Sequence, residues 1–192
     1  TSSKTIDIVE NVLIEFNKEI VNALKNKTCG ARGITSKEYS IISVIPESDE
    51  LGFVGIPTKI KTNILKEIII SGDVPVIAPL GLNDKNLTFN INADTAAGSI
   101  AKELKARRLL IISDVEGVLD KNNKLVTEIN SIKAKEMIDG EIISGGMIPK
   151  INNCLDVASN GVKGVVIIDG RKNHSILFEL LSDKGSGTLI RE

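Results

Sequence analysis

Two polar loops on either side of one predicted helix–strand unit carry the residues of this chain that could do chemistry. The first contains Asn90, Asn92 and Asp94, followed by a helix-forming segment rich in Ala, Leu, Lys and Glu. The second begins at Asp114, after an apolar run, Leu109–Ser113, that is typical of a buried parallel strand. Ligands of open α/β sheets bind beyond the carboxyl ends of strands. Amides, a carboxylate and helix N–H groups in such a loop are suited to polar or anionic ligands.

Phosphoryl transfer is one reaction that these residues could serve, because it depends mainly on positioning and charge neutralisation. The chain offers a carboxylate at Asp94 and a lysine, Lys150, shortly after a glycine pair, but it has no P-loop and no protein-kinase motif set. Each residue also has an ordinary explanation. Asp94 could be a helix N-cap or first-turn acid, Asn90 and Asn92 could form turns, and Lys150 could be a surface lysine.

Composition limits the class of protein. The 192 residues are 42% hydrophobic and 26% charged, which is ordinary for one globular domain, and the 3% of aromatics predicts an aliphatic core. A net charge of −1 without a long basic run argues against nucleic acid as a partner. Cys29 and Cys154 lack metal-site spacing and are interpreted as packing residues in a reducing compartment. His174 is the sole histidine, which makes a Ser-His-Asp hydrolase a poor fit.

Hydrophobic periodicity predicts alternating helices and strands, and therefore a doubly wound, mainly parallel α/β sheet flanked by helices. None of the apolar stretches reaches the roughly 18 residues of a membrane-spanning helix. The predicted helices cover 5–25, 62–71, 95–107, 132–139, 148–159 and 175–181. The predicted strands include 39–45, a short strand starting at 53–54, 74–79, 109–113, 165–168 and 188–190, with a loop over 81–85.

Six short blocks, in a fixed order, resemble the amino acid kinase family and, within it, the N-acetylglutamate kinases. The blocks are Leu51-Gly52-Phe53-Val54-Gly55, Pro75-Val76-Ile77-Ala78-Pro79, Asn90-Ile91-Asn92-Ala93-Asp94-Thr95-Ala96-Ala97-Gly98, Asp114-Val115-Glu116-Gly117-Val118-Leu119, Gly145-Gly146-Met147-Ile148-Pro149-Lys150 and Gly187-Thr188-Leu189-Ile190. One block alone would be a weak signal, whereas the ordered set is specific.

The resemblance implies an αβα sandwich that phosphorylates the γ-carboxylate of N-acetyl-L-glutamate with ATP, in arginine biosynthesis. Mg²⁺ is expected to bridge the phosphates, held mainly by phosphate oxygens and water. The resemblance also implies a homo-oligomer, arginine as a feedback inhibitor and a PII-type regulator. It implies a cytoplasmic or plastid-stromal location, without a nucleic-acid or membrane partner.

The same resemblance assigns roles to individual residues. Asp94 would organise the catalytic groups, and Lys150 would stabilise the transition state as a compact positive charge. Asn90 and Asn92 would bind the acceptor. The residues expected at the nucleotide are Asp114, Val115, Glu116, Gly117, Val118 and Leu119, with further main-chain contacts from Ile142, Ile143, Ser144, Gly145 and Gly146.

The resemblance implies that residues 1–192 form an amino acid kinase domain. Residues 1–90 would belong to the acetylglutamate-binding lobe and residues 91–192 to the nucleotide-binding lobe. The family's opening strand, with its Gly-Gly pair and catalytic lysine, has no match here, nor has the arginine that binds the substrate carboxylate. We therefore expect this chain to be the later part of a longer protein. Ile56 and the segment 33–39 also depart from the pattern. A sister kinase for another acidic amino acid derivative, or a non-catalytic nucleotide- or arginine-binding module, stays open as an alternative.

Overall fold

The computed structural model describes residues 1–183 and 185–192, which form two compact units. The first unit is Thr1–Ile100 and the second is Ala101–Glu192. The division into lobes at residues 90 and 91 stays a prediction. In the described part of the chain, no helix combines the length and apolar character needed to cross a membrane.

The first unit contains two sheets and the helices that pack on them. A two-stranded parallel sheet pairs β1 with β4, and a four-stranded sheet has the order β3-β2-β5-β6. The elements are α1 (Ser3–Lys25), β1 (Ala31–Ile34), β2 (Ile42–Pro46), β3 (Gly55–Ile60), α2 (Thr62–Ile70), β4 (Val74–Ile77), β5 (Leu80–Leu82), β6 (Thr88–Asn90) and α3, which covers Ala93–Leu104 and so includes the boundary between the units.

The second unit is built on one four-stranded sheet with the order β7-β9-β10-β8. Strands β7 and β9 run parallel, so that Ser113 and Asp169 lie side by side at their carboxyl ends. Of the seven strand pairings in the described chain four are parallel, so the predicted mainly parallel α/β class is confirmed. The elements are β7 (Leu109–Ser113), β8 (Glu128–Ile129), α4 (Ser131–Asp139), α5 (Met147–Ser159), β9 (Val165–Asp169), α6 (Ser175–Leu181) and β10 (Thr188–Ile190).

The core of the second unit is aliphatic, as the composition predicts. Ile129, Ile151 and Ile167 are fully buried in it, and Cys154 is buried beside them, which confirms its predicted packing role. The loops that carry Val118 and the residues before α5 are anchored in this same core. The predicted nucleotide loops therefore rest on a packed support.

Helix α1 differs from the simple amphipathic pattern. Its buried residues, at helical spacing, are Ile6, Glu10, Asn17 and Val21, whereas Phe16 is 57% exposed. Two polar residues can lie on the buried face because each is hydrogen-bonded; the Asn17 side-chain amide, for example, donates to the Val76 carbonyl over 2.8 Å.

Four short strands were missed by the sequence prediction: β1, β5, β6 and β8. Gly33 lies inside β1 rather than simply ending the first helix, and a Cβ at this position would overlap the side-chain oxygen of Asn17. The strand predicted from residue 39 begins only at Ile42, because Tyr39 and Ser40 have φ angles of 69° and 31°, which a strand cannot accommodate.

Candidate active site

Asn90 ends β6, where the backbone is held from two sides. Its N–H donates to the Phe53 carbonyl at 3.0 Å, and it pairs with Leu80 of the antiparallel neighbour β5. The rings of Phe53 and Phe89 are 5.3 Å apart, which adds an apolar contact next to Asn90. The half-buried Asn90 side chain is thus carried on a well-fixed strand end of the first unit.

Asn92 caps helix α3. Its side-chain oxygen accepts hydrogen bonds from the backbone N–H groups of Asp94, at 3.0 Å, and Thr95, at 3.2 Å. This is the arrangement of an N-cap, which satisfies donors that a helix start leaves without a helical partner. The sequence left an N-cap role open for Asp94, but the residue that caps the helix is Asn92, and Asp94 lies in the first turn. The amide nitrogen of Asn92 takes no part in the cap, and its role at the acceptor stays a prediction.

Asp94 is the second residue of α3 and is half-buried. A carboxylate in the first turn interacts favourably with the helix dipole. The structure places Asn90, Asn92 and Asp94 together in one short β6–α3 connection of the first unit, as the sequence predicts. Their catalytic and binding roles stay predictions.

The second predicted loop, from Asp114 to Leu119, begins at the carboxyl end of β7 and is fixed from the far end of the chain. The Val118 N–H donates to the Thr188 hydroxyl at 2.8 Å, and that hydroxyl donates to the Val126 carbonyl at 2.7 Å. Gly117 has a φ of 138°, and a Cβ there would lie 2.5 Å from the Thr188 hydroxyl oxygen. Gly117 is therefore required both by its backbone conformation and by the close approach of Thr188.

The turn after β9 also contacts this loop, through an ion pair. Lys172 Nζ lies 2.9 Å from a carboxylate oxygen of Glu116. Next to it, the Arg171 guanidinium makes two hydrogen bonds of 2.9 Å to the buried Asp169 carboxylate. These bonds, together with the Arg171 backbone N–H, lower the pKa of Asp169 to about 2. Asp169, Asp114 and Glu116 in turn raise the pKa of Arg171.

The predicted segment from Ile142 to Gly146 divides into two parts. The N–H groups of Ile142 and Ile143 both donate to the Met137 carbonyl and so close the end of α4, and the Ile143 side chain is buried. Ser144, Gly145 and Gly146 are exposed. The main chain of these three residues is accessible to a ligand, and its contact with the nucleotide stays a prediction.

Helix α5 begins directly after this glycine pair. Among the described residues, a Cβ at Gly145 or Gly146 would meet nothing within 4 Å, which leaves room for close approach to the backbone. Lys150 is half-buried in the first turn of α5. A helix N-terminus with a lysine in its first turn is chemically suited to a phosphate group.

The predicted site residues thus fall into two groups. Asn90, Asn92 and Asp94 belong to the first unit, whereas the loops beginning at Asp114 and Ile142, together with Lys150, belong to the second. Within the second unit, Val118, Ile143 and the start of α5 share one hydrophobic core.

The sequence assigned Thr188 no role at the nucleotide loop, and it assigned Arg171 and Lys172 no site role. Thr188 was part of a recognised block, but its partner Val118 lies 70 positions away along the chain, so the pair carries no local signal. The parallel pairing of β7 with β9 could have suggested that the turn after Asp169 lies near Asp114.

This chain belongs to the amino acid kinase family, whose family model matches residues 1–169. A curated relative, the acetylglutamate kinase of Pelagibacter ubique strain HTCC1062, is 73% identical over all 192 residues, which span 67% of that protein. The acetylglutamate kinase of Rhodopseudomonas palustris strain BisB18 is 42% identical over 206 aligned residues, with 100% of this chain and 69% of the relative covered.

The fold also matches solved structures. The protein smu.665 from Streptococcus mutans UA159 superposes on all of this chain and 73% of its own, with a TM-score of 0.85 and 29% sequence identity. This match shows that the two proteins share a fold.

Proposed function

We propose that this protein transfers the γ-phosphoryl group of ATP to the γ-carboxylate of N-acetyl-L-glutamate, a step of arginine biosynthesis. The observation that carries the proposal is the 73% identity with an acetylglutamate kinase over the whole chain. The six sequence blocks, which occur in this chain as an ordered set, support the same proposal.

In the proposed reaction, Asn90 and Asn92 hold the acceptor by amide hydrogen bonds, which bind a carboxylate or acetyl group without adding charge. Asp94 organises the cationic groups near the transferred phosphoryl group. Lys150 offsets the negative charge that builds up on that group in the transition state. ATP with Mg²⁺, when bound, supplies the phosphoryl group and part of its charge neutralisation.

The nucleotide is proposed to lie against the loop from Asp114 to Leu119 and the backbone of Gly145 and Gly146. The rigid support of Val118 by Thr188 and the open space at the two glycines support this assignment. Over the described residues, no group of three or more His, Cys, Asp or Glu side chains is arranged to hold a metal. As the resemblance implies, the proposed Mg²⁺ would be bound chiefly by phosphate oxygens and water.

Regulation and assembly are proposed from the resemblance. Arginine would bind at the C-terminal segment 183–188, of which Lys184 lies outside the described residues. The described part of that segment is tied to α6, because the Ser186 N–H donates to the buried Glu179 carboxylate at 2.8 Å. A homo-oligomer, a PII-type regulator and a cytoplasmic or plastid-stromal location complete the proposal.

The test is an ADP-release assay on the natural protein, with the acyl phosphate product trapped by hydroxylamine. The intact mass and N-terminal sequence of the natural protein should be determined on the same material. N-acetyl-L-glutamate should give hydroxamate and ADP in equal amounts, whereas glutamate and N-acetylaspartate should give little. Faster turnover of an N-acetylated aminoadipate would indicate a sister kinase. Nucleotide binding without turnover on any acceptor would indicate a binding module and refute the proposal.

A further inference from the structure

A buried carboxylate outside the predicted site contacts the strand that leads into it. Glu10, on α1, is only 9% exposed, and its Oε1 atom accepts hydrogen bonds from the hydroxyls of Ser36, at 2.5 Å, and Thr88, at 2.9 Å. Lys37 Nζ lies 3.5 Å from the other carboxylate oxygen. A carboxylate is costly to bury unless it is paired and hydrogen-bonded, so these partners hold Glu10 in one position.

The charge state of Glu10 agrees with this arrangement. Burial on its own raises the pKa of Glu10, but the hydrogen bonds from Ser36 and Thr88 and the positive charge of Lys37 outweigh it and lower the pKa. Glu10 is therefore ionised at neutral pH. Its hydrogen bonds to the two hydroxyls are charge-assisted, which makes them stronger than bonds between neutral groups.

Thr88 connects Glu10 to the acceptor side of the predicted site. Strand β6 is only three residues long, from Thr88 to Asn90, and pairs with β5. Side chains two residues apart in a strand lie on the same face, so those of Thr88 and Asn90 share one face of β6. The bond to Glu10 thus fixes one end of the short strand whose other end carries Asn90.

We propose that Glu10 is a positioning residue for the acceptor: through Thr88 it fixes β6 and thereby the direction of the Asn90 side chain. The proposal rests on the proposed function, since the role of Asn90 comes from it. The bond from Ser36 provides an internal comparison. The Ser36 hydroxyl donates to the same carboxylate, but Ser36 lies in the turn at residues 35–40, which does not lead directly to Asn90.

The experiment compares Thr88→Val, which keeps the side-chain shape and removes the donor, with Ser36→Ala. Because the variant loses the free energy that one hydrogen bond typically contributes, Thr88→Val should raise the KM for N-acetyl-L-glutamate about 3- to 10-fold. The kcat and the KM for ATP should change less than about 2-fold, because β6 carries no predicted nucleotide contact. Ser36→Ala should leave all three constants within about 2-fold. Glu15→Gln, an exposed carboxylate change on the same helix, is the matched control for Glu10→Gln.

A second measurement keeps the two proposals separable. Hydrogen exchange of the Asn90 amide, which bonds to the Phe53 carbonyl, should become faster in Glu10→Gln and Thr88→Val but not in Ser36→Ala or Glu15→Gln. If the unmodified protein does not phosphorylate N-acetyl-L-glutamate, the proposed function fails, while faster exchange still supports the anchoring of β6. If the unmodified protein is active and Thr88→Val changes neither the KM nor the exchange rate, the positioning role is wrong.

Discussion

The Thr188 hydroxyl accepts the Val118 N–H at 2.8 Å and so joins the C-terminal strand to the predicted nucleotide loop. The same hydroxyl donates to the Val126 carbonyl, so one fully buried side chain satisfies two backbone groups. Gly187, the preceding residue, packs so closely on β9 that a Cβ would overlap the Ile167 carbonyl. The C-terminal strand therefore helps to hold the predicted nucleotide loop in place.

Thr188→Val should weaken both the fold and nucleotide binding. Valine has the shape of threonine but leaves the Val118 N–H and the Val126 carbonyl without their partner, which should cost about 1–3 kcal/mol of unfolding free energy. Urea denaturation measures this loss, and the KM for ATP should rise at temperatures where the variant is folded. Thr127→Val is the control, because Thr127 is exposed. Equal stability of the two variants would show that the hydroxyl of Thr188 is not needed.

Asp169 should make stability depend on pH in acid. Its pKa is lowered to about 2 by Arg171, whereas the ordinary value is 3.8. A group with a lowered pKa in the folded state contributes stability that is complete above the unfolded pKa and is lost as the pH falls through the folded pKa. The stability difference between the unmodified protein and Asp169→Asn should therefore be constant above about pH 5 and shrink between about pH 4 and 2. Urea denaturation across this range measures it; a difference that grows toward acid would contradict the assignment.

Gly146→Ala separates binding from stability. The Gly146 backbone has an ordinary helical φ of −65°, and in the described chain an added Cβ would meet nothing within 4 Å. The unfolding free energy should therefore change by less than about 0.5 kcal/mol. If ATP approaches this backbone closely, the added methyl group should raise the KM for ATP several-fold. Gly187→Ala, in contrast, should destabilise the fold, because the added Cβ overlaps backbone atoms. Its free energy of unfolding should fall by about 1–3 kcal/mol or more.

The sequence predicted best the elements whose signal is local. The boundaries of β7, α6 and β10 agree with the prediction, because each is a clear apolar segment with polar or glycine-containing flanks. The strands β1 and β8 were missed because they are short and are defined by partners far along the chain, β4 for β1 and β10 for β8. Pairing, rather than composition, makes them strands.

The same difference between local and long-range signals applies to the candidate site. The grouping of Asn90, Asn92 and Asp94 followed from their spacing, whereas the support from Glu10 and Thr188 did not. Glu10 looks like one of several surface acids on α1, and only the folded chain brings it to Thr88, 78 positions away. Long-range hydrogen bonds of this kind leave no pattern in a single sequence.

Lys150 provides the sharpest test of the catalytic assignment. As a transition-state charge, it should matter to kcat more than to substrate binding, so Lys150→Met should lower kcat by about 10²- to 10³-fold, while the KM for ATP changes much less. Lys150→Arg should recover only part of kcat, because a planar guanidinium does not replace a compact ammonium group. Lys135→Met, an exposed lysine change on α4, is the control. A rise in KM with unchanged kcat would make Lys150 a binding residue and overturn its catalytic role.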